Sequence, residues 1–140
     1  MSNTTLNTAA LPALGRLLLA LIFILSGFGK LMTPDATMGY FAHVGVPVPQ
    51  AAYVVSVIVE LGGGLLLLAG FQARLAATVL ALFCLYTALV VHGFGDRESM
   101  INALKNIAMA GGFVFVLAHG AGGWSIDAMR RRRGVSAQPA

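Results

Sequence analysis

Apolar residues in this chain gather into four long runs, covering about residues 11–32, 50–71, 75–93 and 101–120. A membrane-crossing helix needs about 20 mainly apolar residues, and each run approaches or reaches that length. The breaks between them are short and polar: Thr33-Pro34-Asp35, Gln72-Ala73-Arg74 and Asp96-Arg97-Glu98-Ser99. Gly45-Val46-Pro47-Val48-Pro49 leads into the second run, and closely spaced prolines favour an extended lead-in followed by a helix start. Gly120-Ala121-Gly122-Gly123 closes the fourth run, with Trp124 where an aromatic ring suits the membrane interface. All four runs are apolar around their circumference, so a soluble bundle would have no face left to solvate. The predicted fold is an all-α integral membrane bundle of four transmembrane helices, a single domain over residues 1–140, with a basic cytoplasmic tail at 124–140. No convincing internal repeat and no low-complexity tract divides it.

Composition agrees with this pattern. Charged residues make up 10% of the chain and hydrophobic ones 58%, whereas soluble domains carry about 25% charged residues. The net charge of +4 comes largely from Arg130, Arg131, Arg132 and Arg133. Directly after a membrane helix, that run reads as an anchor beside anionic lipid heads and not as a nucleic-acid site. Met1 to Pro12 contain no Lys or Arg and no clear small-residue cleavage site follows the first run, so it reads as a retained helix. Basic residues accumulate on the cytoplasmic side. Cytoplasmic termini put Arg16, Arg74 and Arg130–Arg133 inside, six of the nine basic residues, and leave Lys30, Arg97 and Lys105 outside. The expected location is the bacterial inner (plasma) membrane.

The candidate chemistry centres on Glu60, close to the middle of the second run. An ionised side chain at that depth costs at least about 2.5–3.5 kcal/mol, so Glu60 must face the bundle, pair, or stay protonated. Tyr53, Ser56, Glu60 and Gly63 or Gly64 share one helical face, and Gly62-Gly63-Gly64 lets a second backbone approach. In the first run Arg16, Phe23, Ser26 or Gly27, and Lys30 align. In the third run Thr78, Ala81, Ala88 and His92 make a small, polar stripe; in the fourth, Lys105, Ala108, Gly112 and His119, with Asn102 and Asn106 flanking Lys105. On the proposed topology Lys30, His92 and Lys105 form a titratable ring above Glu60, suited to an anionic head group or a quinone. Each also has a plainer reading: a buried hydrogen bond for Glu60, snorkelling to the headgroups at the helix ends for Arg16 and the lysines, and an interfacial position for His92. The histidines His43, His92 and His119 lie in separate segments at no metal-ligand spacing. Cys84 stands alone, and no phosphate loop, nucleophile elbow, nucleotide fingerprint or haem-attachment motif is present.

These motifs together resemble the DoxX family of bacterial membrane proteins, over about Leu14 to Arg131. The matching elements are Arg16 to Phe23 running into Ser26-Gly27-Phe28-Gly29-Lys30; Gly45-Val46-Pro47 before Glu60-Leu61-Gly62-Gly63-Gly64 and Gly70-Phe71-Gln72-Ala73-Arg74; His92 with Asp96; and Leu104-Lys105-Asn106-Ile107-Ala108 before Gly111-Gly112. The resemblance implies a four-helix membrane bundle. It also implies a link to quinone chemistry, since the family is named after a protein of archaeal quinone-linked sulfur oxidation and some members carry an oxidoreductase designation. No cofactor is evident from the residues themselves. Three readings stay open: a quinone-linked redox accessory protein, a non-catalytic scaffold or assembly subunit, and a small transporter for an apolar or weakly acidic compound. The expected partners are the bilayer and either other membrane proteins or further copies of this chain, without nucleic acid. A packed interior would favour the scaffold; a cavity reaching Glu60 would favour the other two.

The topology is tested by alkaline phosphatase fusions. We expect high activity for a fusion after Phe94 and low activity after Gly70 and Ala140; high activity after Ala140 reverses the orientation.

Overall fold

Four helices long and apolar enough to cross a membrane run Ala10–Met32, Pro49–Ala69, Ala73–His92 and Arg97–His119 in the computed structural model, which describes residues 2–136. The first span lies within α1 (Ser2–Met32) and is followed by the short helix α2 (Pro34–His43). The second comprises α3 (Pro49–Val57), a π-helical turn (Ile58–Gly62) and α4 (Gly63–Ala69). The third comprises α5 (Ala73–Tyr86) and a second π-helical turn (Thr87–His92). The fourth is α6 (Arg97–His119), and α7 (Ile126–Ser136) closes the described chain.

Several boundaries differ from the sequence reading. The first helix begins well before residue 11 and accommodates Pro12. Pro34 starts α2 where only a polar break was expected, because a proline at the first helical position gives up a donor that has no partner there anyway. The third and fourth spans begin earlier than read, since their polar first turns are helical. Asp96 caps α6 by accepting from Glu98 N at 2.9 Å and Ser99 N at 3.0 Å. The Ser99 hydroxyl and these amides hold the Asp96 carboxyl below its ordinary range, so the cap persists until pH falls through that depressed value. The segment 124–140 is no plain tail. Its Ile126–Ser136 portion is helical, while residues 137–140 lie outside the described ones.

Consecutive spans pack side by side, and the fourth returns to the first through Phe23 and Phe113, whose ring centroids are 5.5 Å apart. Between helices in lipid there is no hydrophobic drive, so close packing of small residues has to hold them. A Cβ added to Gly64 would lie 2.9 Å from Ile24 Cγ1 and 3.4 Å from the Ala20 carbonyl oxygen. One added to Gly63 would lie 3.0 Å from Leu80 Cγ. Ala73, Ala76, Ala77 and Ala81 line the buried face of α5. The fourth span buries Ala103, Ala110, Phe113 and Val116, so the stripe read through Lys105 and Ala108 is displaced: both are exposed. Leu18, Ile58, Leu82, Leu89 and Phe115 point outward, toward lipid.

The end of the bundle near Arg16 and Trp124 is clamped. The α4 helix ends at Gly70 (φ 65°), where Phe71 N donates to Leu66 O and Gly70 N to Leu67 O, a Schellman closure that a left-handed glycine permits. Arg16, 3% exposed, donates to Leu67 O at 3.1 Å, to Leu68 O at 3.4 Å and to Trp124 O. This corrects the reading of Arg16 as a side chain snorkelling to the headgroups. A cation at the C-terminus of α4 also matches the helix dipole. Across the turn, the Asp127 carboxylate accepts from Gln72 N at 2.8 Å and Ala73 N at 3.0 Å, capping α5 with the opposite charge. Arg130 stacks over Phe71, with 5.2 Å from its guanidinium carbon to the ring centroid. Through these contacts α7 is docked on the turn between the second and third spans.

Hydrogen bonds to a charged group contribute about 1.5–3 kcal/mol. We expect Arg16→Met to lower the thermal unfolding midpoint in detergent by several degrees. Arg16→Lys should restore only part of the loss, because a point charge cannot reproduce the planar fork. An unchanged midpoint for Arg16→Met would refute the clamp.

Candidate functional site

At the opposite end of the bundle, beside α2, lies a cavity of about 540 Å³. Its deepest charged group is Glu60, 5% exposed, carried on the first π-helical turn. Lys30 Nζ lies 2.9 Å from Glu60 Oε1 and 2.8 Å from Oε2, and also donates to Ser26 Oγ at 2.8 Å. Ser26 Oγ in turn donates to Glu60 Oε1 at 3.2 Å. The ion pair is largely enclosed, with side chains 19% and 7% exposed.

Helix direction explains how Lys30, near the end of its span, reaches an acid near the middle of another. Every Cα–Cβ bond leans toward its helix N-terminus. The first and second spans run antiparallel, so Lys30 leans into the bundle while Glu60 leans back toward the cavity mouth. Gly27 completes the approach: a Cβ there would lie 2.8 Å from Leu61 Cγ and 3.1 Å from Glu60 Cβ. The two residues meet directly.

His92 ends the second π-helical turn and lines the cavity, as do Lys105, Asn102 and Asn106 from α6. Lys105 Nζ donates to Asn102 Oδ1 at 3.3 Å, and Asn106 Nδ2 donates to Asn102 O at 3.0 Å. Thr87 Oγ1 lies 3.3 Å from Asn106 Oδ1 and 3.0 Å from Phe83 O, tying the third span to the fourth. Two π-helical turns thus border one cavity; such turns recur at functional sites, where they re-aim side chains. Tyr40 and Phe41 of α2 supply an aromatic wall.

The structure therefore brings Glu60, Lys30, His92, Lys105 and Asn106 to one cavity. It leaves Tyr53 out. Tyr53 is half-buried, and its carbonyl accepts from Ser56 Oγ at 2.9 Å. Ser56 is buried on the same helix but borders a different, apolar cavity. Ser56, Glu60 and Gly63 nevertheless all lie on the buried side of the second span, so the stripe faces protein while its members border different cavities. Asp96 serves the α6 cap outside the cavity, and His119 is exposed and stacked on Phe115. Ser26 and Asn102, noted only as neighbours of the candidate residues, belong to the site. Thr87 and the aromatic wall of α2 went unread. Five residues separate Thr87 from His92, which a regular 3.6-residue helix turns to different sides, so periodicity did not mark it.

Removing one partner of a buried ion pair costs about 3–5 kcal/mol, whereas replacing both with apolar residues of similar size is often near neutral. We expect Lys30→Met to lower stability strongly and the double variant Lys30→Met/Glu60→Met to recover most of it. The single variant's deficit should shrink as pH is lowered, because an unpaired Glu60 can take up a proton. Additive losses in thermal unfolding would mean that the two side chains do not act as a pair.

Comparison with known proteins gives a consistent answer. The DoxX family model matches residues 11–93. Inner membrane protein YphA of Escherichia coli (strain K12) is 35% identical over 128 residues, covering 85% of this chain and 91% of the relative. Inner membrane protein YqjF of the same organism is 34% identical over 119 residues, with 84% and 90% covered. "Uncharacterized membrane protein Rv3486" of Mycobacterium tuberculosis (strain ATCC 25618 / H37Rv) is 31% identical over 133 residues, with 86% and 82% covered. No solved structure matches significantly. Four membrane-spanning helices, a family match over more than half of the chain and inner-membrane relatives over most of it identify a multi-pass inner-membrane protein that belongs to the DoxX family.

Proposed function

We propose that this protein binds the head group of a quinone in the cavity above Glu60 and acts as a redox accessory protein of the inner membrane. The observation that carries the reading is a count of donors. An ammonium group has three N–H donors. Those of Lys30 are spent on Ser26 and both oxygens of Glu60. Lys105, exposed at the cavity wall, spends one on Asn102 and keeps two. His92 adds a ring that can give or accept a proton. With Lys30 and Glu60 neutralising each other, the cavity carries a net positive charge from Lys105. It suits a carbonyl oxygen that becomes anionic on reduction, and Glu60 stands close by as a proton acceptor or donor.

The cavity reaches Glu60, which favours ligand binding over a purely structural role. Beyond it the bundle is filled by Phe23, Leu67, Leu80 and Phe113, all buried, and then closed by the Arg16 clamp. That filling favours one-sided binding over a transport path through a single chain. With cytoplasmic termini, the cavity opens toward the outer face of the membrane.

Protein purified in mild detergent should bind a short-chain benzoquinone. Lys105→Ala and His92→Ala should each weaken binding about tenfold, the effect of losing one hydrogen bond to a charged or titratable donor, while leaving thermal stability within about 0.5 kcal/mol, as expected for partly exposed positions. Absence of quinone binding by wild-type protein would sink the reading.

A further inference from the structure

Behind the aromatic wall of the polar cavity lies a second one, of about 460 Å³. The two share Phe41, Phe83, Thr87 and Val91. On the far side of that wall the lining is apolar, with Val46, Ala52, Val55 and Leu82 prominent. Val55 and Leu82 are themselves exposed on the lipid-facing surface. The second cavity is therefore a cleft between the second and third spans that opens sideways into the acyl-chain layer.

Its two alcohols are already engaged. The Ser56 hydroxyl donates to Tyr53 O at 2.9 Å. The Thr87 hydroxyl lies within 3.3 Å of Phe83 O, Cys84 O and Asn106 Oδ1. A hydroxyl has one proton to give, so these two alcohols have none to spare, and the exposed Tyr86 phenol is the remaining hydroxyl of the lining. A polar cavity with spare donors thus adjoins a mainly apolar cleft facing lipid, with one wall between them. Each volume lies within the range of ligand sites, about 300–1,000 Å³.

We propose that the second cavity receives the prenyl or alkyl tail of the same ligand whose head occupies the first. The site then takes an amphipathic molecule that bends across Thr87 and Val91. This inference rests on the quinone-head reading above and adds the tail. Lipid chains are as apolar as the side chains of the cleft, so moving a tail from lipid into it gains little transfer free energy. The head supplies the attraction. The cleft supplies selection, accepting a flexible unbranched or prenyl chain and refusing bulk it cannot hold.

The test fills the cleft and compares ligands with and without a tail. Ala52 lines the cleft and not the polar cavity, so Ala52→Phe should obstruct only the tail. Binding is measured for wild type and variant with a methyl-substituted benzoquinone, its decyl-substituted counterpart and decanoate, in one detergent. Partition into micelles then cancels in each ratio of variant to wild type. We expect Ala52→Phe to weaken the decyl quinone about tenfold, as overfilling a packed site does, and to change the methyl quinone less than about twofold, as for a position away from the head. Equal effects on both quinones, or none on either, overturn the tail site while the head reading stands. Failure of both quinones to bind wild type overturns the head reading. Binding of decanoate alone, weakened by Ala52→Phe, keeps the tail cleft and replaces the quinone head by an anionic one. The unfolding midpoint of Ala52→Phe, together with its retained methyl quinone binding, separates obstruction from misfolding.

Discussion

No water reaches the interior of a bilayer to solvate an ion, so an acid that is ionised at that depth needs its counter-ion within the protein. The Lys30–Glu60 pair satisfies this constraint, and the rest of the site is arranged around it. Gly27 gives up its side chain so that the second span can come close enough. Ser26 occupies the remaining gap and bonds to both partners. The π-helical turn from Ile58 to Gly62 holds Glu60 on the buried face while Gly63 and Gly64 still meet Leu80, Ile24 and the Ala20 carbonyl. Small residues and a distorted helix are thus consequences of placing a charge where charge is expensive.

Two basic residues on one stripe of α1, Arg16 buried and Lys30 half-buried, do opposite work. Fourteen residues, about 21 Å along a helix, separate Arg16 from Lys30. Arg16 ties the ends of two spans to the segment carrying Trp124, and Asp127 adds the complementary cap. That end is held by bonds from ionised groups to backbone. Lys30 serves a side-chain pair beneath an open cavity. Rigidity at one end and unfilled space at the other give the molecule a direction, with a fixed base and a site that can receive a ligand. The DoxX match, over residues 11–93, includes Arg16, Lys30, Glu60 and His92, and the curated relatives extend over most of the chain.

Charge accounting inside the cavity separates structural from available groups. Lys30 and Glu60 saturate each other, whereas Lys105 and His92 keep capacity for a ligand. The amide chain through Asn102 and Asn106 to Thr87 holds α6 in register with the third span, which fixes where Lys105 stands. The apolar cleft beyond Phe41 and Phe83 extends this polar chamber into the lipid layer.

The sequence by itself determined the class, the spans and the acid that needs a partner. Membrane helices form their backbone bonds within one segment, so length and hydropathy suffice to find them, and one carboxylate in an apolar run is conspicuous. The alignment of Arg16 with Phe23, Ser26 and Lys30 was also legible. The tertiary structure alone decided which groups meet. Lys30 reaches Glu60 because antiparallel helices tilt their side chains toward each other, and because Gly27 removes the obstacle. Arg16 finds carbonyls of helix ends that only the fold brings beside it. Ser56 shares the buried side of Glu60 yet borders the apolar cleft, because the packing of neighbouring segments, which no periodicity records, divides the interior there. The helix α2, with its aromatic wall, and the cleft behind it arise from contacts between segments distant in sequence, which no local pattern records.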